Sequence, residues 1–247
     1  MSHIHLPDGV LPFVWWFTAD LLAIGWLLLA ERRVRGRSLR RQLPLLGAMG
    51  ALMLLTMSVP LGPLPFHLNL TVLTGMIAGP WLGFITVFVV NAMLSLLGHG
   101  GLTVVGLNSL IMGVEVVLGW WLFHRLLRPW PISVRAVFTP ILALLVSITL
   151  SLSMIGWSTG LWAATLPHAH EDHLLSRQPI SQPASGHALP VDDTLRTAVS
   201  NWQLWGMKGL WALGVLLSVG LLTESLATLA ITRYLLQVRP DLLDQAP

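Results

Sequence analysis

Cysteine is absent from this chain of 247 residues, which removes disulfides, thiolate metal sites and cysteine nucleophiles together. Any metal chemistry must therefore use nitrogen and oxygen donors. Charge is scarce as well: Asp, Glu, Lys and Arg make up 10% of the residues, against roughly 25% in a soluble domain. Lysine occurs once, at Lys208, and no Gly-x-x-x-x-Gly-Lys-Ser/Thr phosphate loop is present. ATP binding and hydrolysis by that route are excluded. His-Glu-x-x-His is missing too, and with it the usual helical zinc-hydrolase arrangement. The first apolar run, 11–30, follows a leader with histidines in place of Lys or Arg and precedes no small-residue cleavage site. It reads as a retained helix, not a secretory signal.

What is present is hydrophobic: 54% of the residues, with a mean hydropathy of +0.73. That composition predicts an all-α integral membrane protein, one transmembrane domain over 1–247. The pI near 10.5 does not signal nucleic acid, because six of the fourteen basic residues fall between Arg32 and Arg41. They form a loop charge, which the positive-inside rule keeps cytoplasmic, so the amino terminus faces out. A run at 43–60 returns outward, and the next, 66–97, reads as one long span or two. Basic residues Arg125, Arg128 and Arg135 belong on the same side as the first cluster, which requires an even number of crossings between them. Helices over 67–79 and 81–97 satisfy that, with Gly79-Pro80 as the turn. The first of these is about 20 Å long, short of a roughly 30 Å hydrocarbon core, and must end inside the protein at a cavity wall. Helices over 103–123, 136–161 and 204–231 complete a bundle of about seven, with the carboxyl terminus inside. All twelve tryptophans fall near a proposed helix end or in the adjoining loop, as an interfacial belt requires.

This topology puts His3, His5, His67, His99, His168, His170, His173 and His187 outside and only His124 inside. The segment 1–10 reads as an external chelating arm. A free amine, the next amide nitrogen and an imidazole close fused rings around one cation, and planar nitrogen donors suit nickel(II) or copper(II). With Met1 retained, amine, two amides and His3 fill a square plane. With Met1 removed, which the small Ser2 favours, Ser2 amine, His3 amide and His3 imidazole leave one place for a side chain from the body of the protein. His67, at the mouth of the short helix, is the candidate for it. His99 in the outer turn either lines this site or fixes the turn. Asn91 and Asn108 read either as groups that orient imidazoles or as ordinary interhelical hydrogen bonders. The external loop 164–201, with His168, His170 and His173, is either a metal-gathering segment or a linker.

Asp20, Glu115, Lys208 and Glu224 lie within proposed helices, where ionisable groups are expensive. Sixteen residues along one helix would put Lys208 and Glu224 about 24 Å apart. Glu115 and Glu224 are expected to bond to neighbouring helices. Gly47 and Ala51 form a small-xxx-small pair suited to close approach by another helix.

His5-Leu6-Pro7-Asp8-Gly9 with Leu11-Pro12, His67-Leu68 ahead of Thr74-Gly75 and Gly79-Pro80-Trp81, and Gly98-His99-Gly100-Gly101-Leu102-Thr103 with Gly106 and Asn108 resemble the CbiM/NikM family. These are the substrate-capture components of energy-coupling-factor (ECF) transporters for cobalt and nickel. Glu224 looks like the glutamate of that family's last helix. The resemblance spans nearly the whole chain and implies an S-component-like bundle in the cytoplasmic membrane of a bacterium or archaeon, with a tie to cobalamin biosynthesis. It implies Co2+ or Ni2+ as the transported substrate and no organic cofactor. It further implies no enzymatic activity in this chain, a transmembrane coupling (T) subunit, two ATPase (A) subunits and a small accessory membrane subunit. The family's chelate uses the amine, the amide and imidazole of a histidine at position two, and a histidine matching His67. Aligned on Pro7-Asp8-Gly9 that first histidine is His5, yet three extra residues precede it here. Cleaved Ser2-His3 restores the donor set, with His5 as an axial or entry ligand. Two other readings remain: a vitamin-binding S component, and a membrane metallohydrolase using His170, Glu171 and His173.

Overall fold

Apolar runs with few charges form helices in a membrane because only internal hydrogen bonding satisfies the backbone there. The computed structural model describes residues 12–35, 39–58, 67–98, 100–158, 203–204, 207–208 and 210–244. Its helices are α1 (Phe13–Val34), α2 (Leu39–Ser58), α3 (Thr71–Leu96), α4 (Val105–Trp121), α5 (Ile132–Ser158), α6 (Leu210–Val238) and the short α7 (Asp241–Asp244). Five helical stretches are long and apolar enough to cross a membrane: Phe13–Val34, Thr71–Leu96, Val105–Leu126, Ile132–Met154 and Gly214–Val238. Polarity is inverted relative to a soluble domain. Asn69, Asn91, Asn108, Glu115, Ser147, Glu224 and Thr228 are buried, while Leu22, Leu55, Leu222 and Leu226 are more than half exposed. A bundle solvated by lipid has that distribution.

The contacts divide the chain into two units, one of Met1–Ser151 with Leu217–Pro247 and one of Leu152–Leu216. In the second, the described residues include the end of α5, a two-residue pairing of β1 (Gln203–Leu204) with β2 (Met207–Lys208), and the start of α6. Lys208 therefore precedes the last helix, and the reading that put it on one helix with Glu224 is corrected. The helix begins only at Leu210, past the paired strands.

Within the first unit, α3 is folded back on itself. Gly79 has φ 76° and ψ 178°, a conformation closed to residues with a side chain, and Pro80 follows. Residues eight apart on a straight helix stand about 12 Å apart. A Cβ placed on Gly83, however, would lie 3.6 Å from the Cα of Gly75. The arms 71–78 and 80–96 thus form a hairpin, as expected from Gly79-Pro80. The helix does not begin at His67, as the sequence suggested, but at Thr71, because residues 67–70 are held out of helical geometry. Leu70 is left-handed, with φ 56°.

Helix α4 fits tightly against this hairpin. A Cβ on Gly75 would stand 2.2 Å from the carbonyl oxygen of Val116, and one on Gly119 would stand 2.6 Å from that of Val72. Small residues at such crossings let backbones touch, which is how helices associate without a hydrophobic driving force. Helix α1 joins through Trp26, stacked on Phe84 with ring centroids 4.3 Å apart. That stack takes Trp26 out of the expected interfacial belt: α1 runs on to Val34, leaving this indole two turns inside the helix. Methionines Met49, Met53 and Met57 form the buried stripe of α2, and the Thr74 hydroxyl reaches the Met53 sulfur at 3.2 Å.

The far end of α4 loosens into a π-helical turn, Leu122–Leu126, closed by Leu127 N–H donating to the Leu122 carbonyl at 2.8 Å. Arg135 of α5 donates to the Phe123 carbonyl there and lies over the Phe123 ring, 4.1 Å from its centroid. Beyond α6, Arg239 holds Asp241 at 2.8 Å, an exposed contact that keeps the Asp241 carboxyl below its ordinary range.

Candidate metal-capture site

Residues 67–70 lead directly into the buried short arm of α3. His67 is half-buried with its Nδ1 shielded from solvent. Asn69, two residues on, is fully buried and its side chain works in two directions. The amide nitrogen donates to Glu115 Oε2 at 2.6 Å, and the amide oxygen accepts from the Thr71 hydroxyl. The Leu70 carbonyl takes both the backbone N–H and the hydroxyl of Thr74, each at 3.0 Å. A left-handed leucine costs of order 1–3 kcal/mol and persists only where its surroundings over-determine it. These four bonds supply that determination.

Glu115 lies in the middle of α4 with no exposure. Its other oxygen accepts from the Ser147 hydroxyl of α5, and Glu224 of α6 is close enough to interact with it electrostatically. A carboxyl so placed is tolerable only because its oxygens receive donors. The expectation that Glu115 bonds to neighbouring helices is what the structure shows.

The remaining candidates separate cleanly. Asn91 donates to the Val105 carbonyl at 3.0 Å and to the Ser109 hydroxyl at 2.9 Å, bonds that join α3 to α4. Asn108 is buried in the first turns of α4. Asp20 of α1 accepts the Gly106 N–H at 2.8 Å, so a carboxylate from another helix satisfies one of the N–H groups that α4's amino terminus leaves over. Ser2, His3, His5, His99, His168, His170 and His173 lie outside the described residues. Among the described residues, no three of His, Asp and Glu come together as a metal-holding group.

Asn69 was not singled out from the sequence. The available signal was a polar residue with cap-forming chemistry two positions after His67 and immediately before a left-handed Leu70. Nothing local indicated that its partner would be Glu115, 46 residues away.

Fold and buried polar groups together define a multi-pass α-helical membrane protein. Its fold matches the crystal structure of a truncated transition metal transporter, with a TM-score of 0.64, 18% identity, and 95% of this chain and 99% of the other covered. A second structure, of a transition metal transporter, gives a TM-score of 0.65 at 17% identity, covering 95% and 93%. The model of the family CbiM, cobalt uptake substrate-specific transmembrane region, matches residues 5–242, and the chain belongs to that family. A CbiM protein of Halobacterium salinarum is 28% identical over 141 residues, 55% of this chain and 64% of that one. The cobalt transport protein CbiM of Sorangium cellulosum is 29% identical over 130 residues, 49% and 57%. The matched region thus spans less than two thirds of the length of either relative.

Proposed function

We propose that this chain is the substrate-binding membrane component of an ECF-type importer for cobalt or nickel ions. The observation that carries the reading is the placement of His67. It stands at the head of a short non-helical segment whose next turn is pinned in the bundle interior, in a chain of a cobalt-uptake family. A histidine there offers one nitrogen at a fixed place, and the amino-terminal arm has the chemistry to bring the others. In this reading Ser2 amine, His3 amide and imidazole, and His67 make the plane, with His5 axial or at the entry. His99 either lines this site or fixes its own glycine-rich turn, and His168, His170 and His173 of the external segment 164–201 gather metal. The amino terminus faces outward and the protein sits in the cell membrane.

The chain has no phosphate loop, so import against a gradient needs energy from other subunits. A coupling T subunit and two A-subunit ATPases fill that role, with a small accessory membrane subunit as a further partner. The vitamin-binding and metallohydrolase alternatives predict different contents of the purified protein. Intact mass shows whether Met1 is absent, and metal analysis with visible spectroscopy should find one nickel or low-spin cobalt per chain in a planar nitrogen field. His67→Ala should change that spectrum and weaken binding. A zinc-only protein, or one that binds no transition metal, would sink the proposal.

A further inference from the structure

We infer that Asn69 and Glu115 are positioning residues for metal capture, fixing where His67 stands without donating to the ion. The inference rests on the reading of His67 as a ligand. A histidine ahead of a helix is normally as mobile as its tether, and here the tether is short. Asn69 is two residues from His67, fully buried, and held on both ends of its amide, by Glu115 and by Thr71. Leu70 and Thr74 secure the chain on the other side. Displacing the Asn69 amide by an ångström would carry His67 with it.

Glu115 suits the role of anchor better than that of ligand. Both of its oxygens already accept hydrogen bonds, one from Asn69 and one from Ser147. A cation would have to displace those donors, whereas an acceptor with two donors is a rigid point. The anchor also ties three pieces of the bundle together: the foot of α3, the middle of α4, and α5 through Ser147. A shift of α5 against α4 would therefore reach the His67 segment through two hydrogen bonds. Groups that orient metal ligands from behind alter affinity by about 10- to 100-fold when removed.

The test uses the full-length protein in detergent with Ni2+ alone as the probe. It measures affinity by competition, the position of the visible absorption band at saturation, and the unfolding temperature. Asn69→Leu and Glu115→Leu should each weaken Ni2+ binding about 10- to 100-fold while the saturated band stays in place, because the donor atoms are unchanged. Glu115→Gln, which keeps an acceptor for Asn69, should recover most of the affinity. Ser147→Ala, mild enough to fold if the leucine variants do not, should cost about fivefold. His67→Ala should move the band. If His67→Ala leaves band and affinity untouched, the ligand reading itself fails. If it moves the band while the Asn69, Glu115 and Ser147 variants bind within about twofold of the parent, only the positioning role is overturned. A band displaced by Glu115→Leu would make Glu115 a ligand and overturn it equally.

Discussion

The Nε2 of His124 lies 2.8 Å from the carbonyl oxygen of Met76, across 48 residues of sequence. A carbonyl only accepts, so Nε2 carries the proton and donates. The reason for the bond lies in the hairpin. Met76 is among the last residues of the short arm, the chain turns at Gly79, and residue 80 is a proline without an N–H, so this carbonyl has no onward helical donor. The π-helical turn at Leu122–Leu126 presents the imidazole that replaces it.

His124→Phe should orphan the Met76 carbonyl in the bundle interior and lower stability by about 1–3 kcal/mol. His124→Gln, whose amide nitrogen can donate, should recover part of the loss. Thermal unfolding of purified protein in one detergent checks both. Equal unfolding temperatures for Phe and Gln would show that the bond contributes nothing.

Gly75 is one of two points where α3 and α4 touch backbone to backbone, Gly119 being the other. Gly75→Ala places a methyl where the Val116 carbonyl already stands and should cost about 1–3 kcal/mol through forced separation of the helices. Gly47→Ala makes the same chemical change at a position with no atom within 4 Å and should stay within about 0.5 kcal/mol of the parent. Unfolding midpoints of the pair measure the difference.

Asp20→Ala removes the acceptor that Gly106 N–H uses at the start of α4. The expected loss is about 1–2 kcal/mol, and Asp20→Asn, which keeps an acceptor oxygen in place, should avoid most of that loss. Faster hydrogen exchange at residues 105–108 in the alanine variant alone is the local readout.

Metal affinity should rise with pH from mildly acid to mildly alkaline conditions, because an amide donor and an imidazole must each give up a proton to bind. An extra alanine before Ser2 moves the amine away from His3 and should change the spectrum and impair metal uptake in cells carrying the partner subunits. Isothermal titration at several pH values, with and without the added residue, checks both expectations. A flat pH profile would rule out an amide donor.

The helical bundle was legible because lipid permits little else: long apolar runs separated by arginine clusters leave one architecture, and Gly79-Pro80 marked the hairpin. Helix ends were less so. The helix expected from His67 starts at Thr71, since no local rule announces that a leucine will be left-handed. The same holds for the interior polar contacts. Asp20 and Glu115 stood out as costly, but their partners were set by helix crossings: Gly106 itself lets α4 approach Asp20 of α1, and Gly75 and Gly119 let α3 and α4 close on each other. His124 looked like an unremarkable histidine on the cytoplasmic side, and its use followed only from a proline elsewhere.

The short arm of α3 has one more implication. Its turn lies beside Trp81, whose ring is covered by Arg33 at 5.5 Å, a pairing typical of a membrane boundary. Eight helical residues from there reach only about 12 Å into a slab roughly 30 Å thick. With the proposed outward-facing orientation and the arm running along the membrane normal, Thr71 and the segment ahead of it would begin within the insulating layer. A divalent ion seated beside His67 would have crossed part of the electric field before being held, and each charge moved through the full field exchanges about 2.3 kcal/mol per 100 mV. Loading of such a site would respond to voltage, and a polarised cell would fill it at lower external concentrations than a depolarised one.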